Sequence, residues 1–428
     1  MRRVVGPLFI FALVMVGPLT NATIGVEPTR LPSPRTGTAA AWDGQRAWVF
    51  GGQNGVGREV VSYNPRTDQL TQATLLPTEG IHRTAVWTGR YVFLFGGSPF
   101  EETSDSVLRF DPVSNTVVPM TSHLPTPREA MSGVWSGDTI YLFGGNTGAS
   151  FTLLDDIVAY HPSSDTLEVL HARLPTPRTR TSAVWDGQAA YIFGGLDASG
   201  ARDEILRFDP SAQTVGALSF TLPSARWATS AAWDGCEALV FGGETGFPGP
   251  KTDEIVAITP LASQVFISGD RLPTPRAETS AVWTGREALV FGGRDGAFYD
   301  DIVQFVPGNP PSACTPIPID IKPGSYPNSI SRSSRGNIPV AILSTPGFDA
   351  LARVDSTSLT FGQAGSETSL RNCNRHGEDV NGDGLADLVC HFVTQRTGFR
   401  LGDVTGTLRG KIVGGQPFAG MDSVRILP

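Results

Sequence analysis

The stretch TSAVWDGQAAYIFGG, Thr181–Gly195, decides the fold. Two apolar runs, Thr181–Trp185 and Ala189–Phe193, flank Asp186-Gly187, and Gly194-Gly195 ends the second run. Short runs of Val, Ile, Phe, Tyr and Trp bounded by Gly and Asp read as paired β-strands. The pattern recurs along the chain. Phe-Gly-Gly begins at Phe50, Phe95, Phe143, Phe193, Phe241 and Phe291, at spacings of 45, 48, 50, 48 and 50 residues. A Trp stands eight residues before each Phe, at Trp42, Trp87, Trp135, Trp185, Trp233 and Trp283, and a Gly follows two residues after each Trp. Self-similarity at such a period marks a repeat architecture.

Each copy continues in the same way. After Gly194-Gly195 come a loop, a third run at Glu204–Phe208, the turn Asp209-Pro210, a fourth run from Thr214, and Leu222-Pro223. Four strands per copy and six copies predict a radial array of four-stranded blades. The double glycine, the aromatic-Asp-Pro turn and the Leu-Pro-Thr-Pro-Arg segments resemble Kelch repeats. Those segments lie at Leu124–Arg128, Leu174–Arg178 and Leu272–Arg276, with variants at Leu31–Arg35 and Leu222–Arg226. The resemblance spans residues 23–307 and implies an all-β fold, a six-bladed Kelch β-propeller. One departure is the Trp, which ends the first strand, whereas Kelch repeats carry it on the fourth.

The sixth copy lacks a fourth run. In four copies an aliphatic residue lies eleven positions before the Arg, as Leu167 does before Arg178. Counting back eleven from Arg35 gives Ile24, so Thr23–Thr29 is expected to complete the sixth blade as an N-terminal closing strand and remove an exposed edge.

Because strands alternate in direction, the post-glycine loops and the Arg segments share one face. Arg35, Arg83, Arg128, Arg178, Arg226 and Arg276 are expected to ring the channel mouth. Asp105, Asp155, Asp203, Asp253 and Asp300 offer same-face partners for bidentate ion pairs; the other reading is an anion-attracting funnel. The first copy breaks the pattern, with Arg58 in place of the Asp. The segment Leu76–Arg83 counts as two residues longer than its counterparts and brings His82. The candidate ligand site is therefore Arg58, His82 and Arg83, rimmed by Phe100, Phe151, Phe247 and Tyr299. The six Trp are expected to be core wedges between blades.

Residues 308–316 form a Pro-rich linker, and 317–428 a small β-sandwich-like domain. IDIKPGSYPNSI, RGNIPVAIL and DVNGDGLADLVCHF resemble a module at the C-termini of exported bacterial and archaeal proteins. In it, Asp379, Asn381, Asp383 and Asp387 present oxygens at positions 1, 3, 5 and 9 of a loop with Gly384 at position 6, a pattern suited to a structural Ca²⁺. The loop is similar to those of dockerins and FG-GAP repeats. Cys373 and Cys390 flank it and are candidates for a disulfide, while Cys236 is expected to stay free.

Arg2 and Arg3 precede an apolar run ending near Ala22, which reads as a signal peptide over residues 1–22. The protein is expected to be secreted, periplasmic or at the cell surface. A net charge of −8 argues against nucleic-acid binding, and no later stretch is long enough to span a membrane. No His-Glu-x-x-His, no zinc-spaced cluster and no nucleophile motif occurs. These features lead to an exported, non-catalytic binding or scaffold protein that takes a protein or glycan on its propeller loops. The alternative, by resemblance of fold, is a carbohydrate-active propeller enzyme such as a sugar mutarotase.

Overall fold

The computed structural model describes residues 22–98, 102–148, 150–260, 263–307, 315–325, 327–345, 348–413 and 417–428. The expected signal peptide, save Ala22, and most of the expected linker lie outside the described residues.

Each repeat folds into one antiparallel four-stranded sheet. The third comprises Ser132–Trp135, Ile140–Phe143, Asp156–His161 and Thr166–Arg173, paired in that order. Four further sheets are built the same way. The sixth contains Ser280–Trp283, Ala288–Phe291 and Ile302–Val306, and its fourth strand is Thr23–Val26 from the other end of the sequence. Ile24 pairs with Phe305 and Val26 with Val303.

Five of the six second strands are buried along their whole length, as in Ala190–Phe193, and in the other only Tyr141 interrupts the pattern. They are apolar on both sides because a neighbouring sheet covers each side. One apolar cluster fills each gap between consecutive sheets. Phe143 and Ile157 of the third sheet meet Ile192 and Phe208 of the fourth, and Phe143 and Phe208 pack edge to face at 5.6 Å. A sixth cluster joins Val49, Val61 and Tyr63 of the first sheet to Leu289, Phe291 and Ile302 of the sixth. Truncating one such Phe to Ala costs about 3–5 kcal/mol.

The double glycines fasten sheet to sheet. Gly144 and Gly145 both have positive φ, at 58° and 98°. A Cβ on Gly144 would overlap the carbonyl oxygen of Arg178 in the next repeat, and Gly145 N–H donates to that same oxygen at 3.0 Å. Only glycine allows both the conformation and the approach. Gly293 N–H donates in the same way to Arg35 C=O, linking the last repeat to the first.

Residues 317–426 build their own core. One sheet holds Val354–Gly362, Thr405–Ile412, Pro417–Ser423 and Thr315–Pro316; the other holds Ile319–Ile321, Asn337–Ile342, Asp387–Val393 and Leu370–Glu378. Phe361 of the first meets Phe392 of the second at 4.9 Å. The strand Pro417–Ser423 breaks at Val424, and Arg425–Leu427 beyond it pairs in parallel with Ser329–Ser331.

Candidate functional site

The arginines of the repeat are buried rather than exposed at a mouth. Arg35, Arg128, Arg178, Arg226 and Arg276 lie at or below 1% exposure. A buried guanidinium needs a counter-charge and full hydrogen bonding. The counter-charge comes from the acid at the start of the third strand: Arg35 pairs with Glu59 at 2.7 Å, Arg178 with Glu204 at 3.1 Å, Arg226 with Glu254 at 2.5 Å, Arg276 with Asp301 at 2.5 Å, and Arg128 forks onto Asp156. Backbone carbonyls and Ser/Thr hydroxyls take further donors, and Arg35 Nη1 has no partner. The expected partners were one residue off. Successive strand residues point to opposite faces, so Asp105, Asp155, Asp253 and Asp300 turn away, toward His123, Arg173, Arg271 and Arg30.

Arg83 departs from this set. Gly80 N–H donates to Gly57 C=O just as Arg128 N–H donates to Ser104 C=O, so Gly80 holds the arginine register. Leu76 to Gly80 therefore matches Leu124 to Arg128, and the segment is not longer than its counterparts. Arg83 stands three residues on, in the register of Thr38, Met131, Thr181, Thr229 and Thr279. Its side chain folds back over Gly80, and Nη1 donates to Gly96 C=O at 2.7 Å, as Arg276 does to Gly292 C=O. Nη2 reaches Thr78 Oγ1 and Glu79 C=O. The acid position of this repeat is Ser106, whose C=O accepts from Gly96 N–H as Asp156 C=O does from Gly144 N–H. Arg83 thus has no carboxylate among the described residues; it is 5% exposed and its Nε has no partner. Burial pushes its guanidinium down to about 10.

The mouth itself is formed by the residues two positions after the arginine register: Gly37, His82, Ala130, Arg180, Ala228 and Glu278. All six have φ between 54° and 62°. Their backbones hydrogen-bond in a cycle, each N–H to the C=O of the preceding repeat, and Gly37 N–H closes it on Glu278 C=O at 3.0 Å. They line a cavity of about 100 Å³. His82 Nδ1 lies 3.3 Å from Glu129 Oε2, and Nε2 lies 3.6 Å from Glu278 Oε2. Arg180 and Arg294 pair with Glu278, the latter at 2.9 Å. Burial and Arg180 pull the His82 imidazole toward neutrality, but Glu129 and Glu278 outweigh them and hold its pKa above the usual value. Burial alone would raise Glu278; His82, Arg180 and Arg294 reverse this and keep it well below the usual carboxylate range. Glu129 is lowered in the same way, burial being outweighed by His82, Asn146 and Arg180.

The other sequence candidates scatter. Arg58 is exposed and donates to Leu76 C=O, away from the mouth cavity. Phe100 lies outside the described residues. Phe151 is 45% exposed, and Phe247, 62% exposed, packs on Trp227 at 5.7 Å. Tyr299 covers the Arg276 guanidinium at 4.4 Å. Glu129, Arg180, Glu278 and Arg294 were not foreseen. Arg180 and Glu278 each lie two residues after an Arg, and that signal could have found them.

The Trp-x-Gly turns of the repeats, on the opposite side, are covered by the C-terminal unit. Trp135 Nε1 donates to Gly402 C=O at 2.9 Å, and Gly89 abuts Val404. The six repeat Trp are half-buried rather than core wedges alone, and they line a second cavity of about 270 Å³ beneath the cover.

In the acidic loop, Asp379 accepts from the N–H groups of Gly382, Asp383 and Gly384, and Asp383 accepts from Leu385 N–H. Asp387 is buried and accepts from Ser344 and Val380 N–H. No group of three or more His, Cys, Asp or Glu suited to a metal occurs among the described residues. Asp379, Asn381 and Asp383 are exposed, whereas Asp387 is buried. Cys373 and Cys390 are joined by a disulfide. Cys236 is disulfide-bonded too, correcting the expectation of a free thiol.

Antiparallel four-stranded sheets from equivalent repeats, packed face to face, are the organisation of a propeller-type all-β repeat protein. Residues 82–258 match the KLHDC2/KLHL20/DRC7 Kelch-repeats domain, which supports a Kelch-repeat protein. No curated protein gives a significant match. Kelch repeats generally mediate protein–protein binding, and no helix among the described residues is long and apolar enough to cross a membrane.

Proposed function

We propose that this is an exported binding protein, a six-bladed propeller over residues 23–307 closed by its N-terminal strand, with a C-terminal domain over 317–428. It takes a protein partner on the face that carries His82 and Arg83, and an acidic group of that partner supplies the carboxylate that Arg83 lacks. The observation behind this is the Arg83–Ser106 pair. Five arginines have an acid at this position; the sixth has a serine, which leaves a buried cation without a carboxylate among the described residues. The counterpart acids are up to 26% exposed, so the position adjoins solvent. The cover on the opposite end leaves this face as the one open to a partner.

The test is selection from a random peptide library on the full chain. Acidic peptides should emerge, and Ser106→Asp, which provides an internal carboxylate, should weaken them about tenfold or more. Neutral peptides, or binding indifferent to Ser106→Asp, would exclude the reading.

Sugar mutarotation is a second reading, favoured by His82 held between two carboxylates at the mouth, an arrangement able to move protons. It requires catalysed anomer exchange that His82→Asn abolishes. The acidic loop is proposed to hold a structural Ca²⁺ through Asp379, Asn381 and Asp383.

A further inference from the structure

The covered end of the channel carries a different chemistry. Each repeat contributes one indole to the 270 Å³ cavity, from the last residue of its first strand. One part of each indole rests on the apolar cluster between sheets, as Trp185 and Trp233 do; the remainder lines the cavity. The cover adds Met421, Asp403 and Asp422. Asp186 is the third acid in the lining, and no Lys, Arg or His is present there.

The volume is close to the lower bound of about 300 Å³ for small-molecule sites. Its electrostatics have one sign. Indole faces carry negative quadrupole potential, and the acids add to it. Anions are disfavoured. With Arg400 and Arg66 outside the lining, a neutral ligand would bring no counter-charge to the two cover acids inside the cavity. Asp422 is held by Ile321 N–H, Asn328 Nδ2 and Ser423 N–H. Asp403 takes Arg400 N–H on Oδ2, and its Oδ1 lies against Gly137. Burial pushes both carboxyls up to about 6, outweighing the lowering by Arg400 at Asp403 and by Arg66 at Asp422.

We infer that this cavity is a binding site for a small organic cation, of the quaternary-ammonium or alkylammonium class, caged by the six tryptophans and neutralised by Asp403 and Asp422. The site is formed jointly by the repeats and the C-terminal unit, so occupancy fastens the two together.

The test uses the full chain with choline as probe and 3,3-dimethylbutan-1-ol, its neutral isostere, as control. Calorimetry and tryptophan fluorescence should both report choline binding, with the isostere about tenfold weaker. Affinity should fall as pH drops below about 6, where the acids take up protons. Asp403→Asn, a near-isosteric change, should weaken choline about tenfold while leaving the far-ultraviolet spectrum unchanged. Trp283→Phe, which keeps an aromatic wedge, should weaken it less. The inference is overturned by no heat and no fluorescence change at tens of millimolar choline. Equal binding of the isostere, or full affinity in Asp403→Asn, overturns it too. None of these readouts depends on Arg83 or the opposite face.

Discussion

The guanidinium of Arg83 occupies the space that a side chain on Gly80 would fill. This repeat has no arginine at the usual position and makes the same hydrogen bond, to Gly96 C=O, from three residues further along. Gly80→Ala should therefore displace a buried cation from its three acceptors. The expected loss is about 1–3 kcal/mol, read from denaturant unfolding; an unchanged midpoint would show that Arg83 does not rest there.

The strand Thr23–Val26 covers an edge that includes Val303 and Phe305. Deleting residues 23–30 should lower the melting temperature by several degrees. Equal melting of the truncated and full chains would show that the edge needs no cover.

The mouth cluster should give a pH signature. The folded pKa of His82 lies above its unfolded value, so its contribution is fully present below about pH 6.5. It is lost as pH rises through the higher folded value. Glu129 and Glu278 have lowered folded pKa values, so theirs is present above about 4.5 and lost as pH falls further. Stability from the cluster should peak between these limits. His82→Asn, a residue that tolerates positive φ, should flatten the decline above pH 6.5; an unaltered profile would assign that decline elsewhere.

The acidic loop lies inside the 17-residue span closed by Cys373 and Cys390. Replacing both with Ala should cost about 3 kcal/mol. It should also weaken calcium binding, measured by calorimetry on the full chain, because the loop then loses its fixed ends. Asp379→Asn should abolish the calcium heat. Absence of that heat in the parent would leave the loop as a self-capped turn.

Much of the fold was legible because glycine and aromatic positions repeat with few exceptions. Counting alone put Ile24 on a fourth strand of the sixth sheet, where it pairs with Phe305. The candidate site was harder for identifiable reasons. Identity of letter was taken for identity of register at Arg83, whereas counting from Leu76-Pro77 leads to Gly80. The acids were placed one residue early, which on a strand means the wrong face. The tryptophan cavity depends on what lies over it, and Asp403 and Met421 are more than a hundred residues from the last Trp of the repeats. No local pattern encodes that contact.

The cycle of backbone hydrogen bonds at the mouth has an electrical consequence. Peptide dipoles stacked along a helix add, giving a charged end that attracts ions without help from side chains. Here six bonds follow one another around a loop, so their vectors cancel. The scaffold of the mouth is electrically silent. Whatever potential an approaching molecule feels is set by side chains, by His82, Arg180 and Glu278 on the hoop and by Arg83, Glu129 and Arg294 beside it, and substitutions there could rewrite it while the backbone hoop stays.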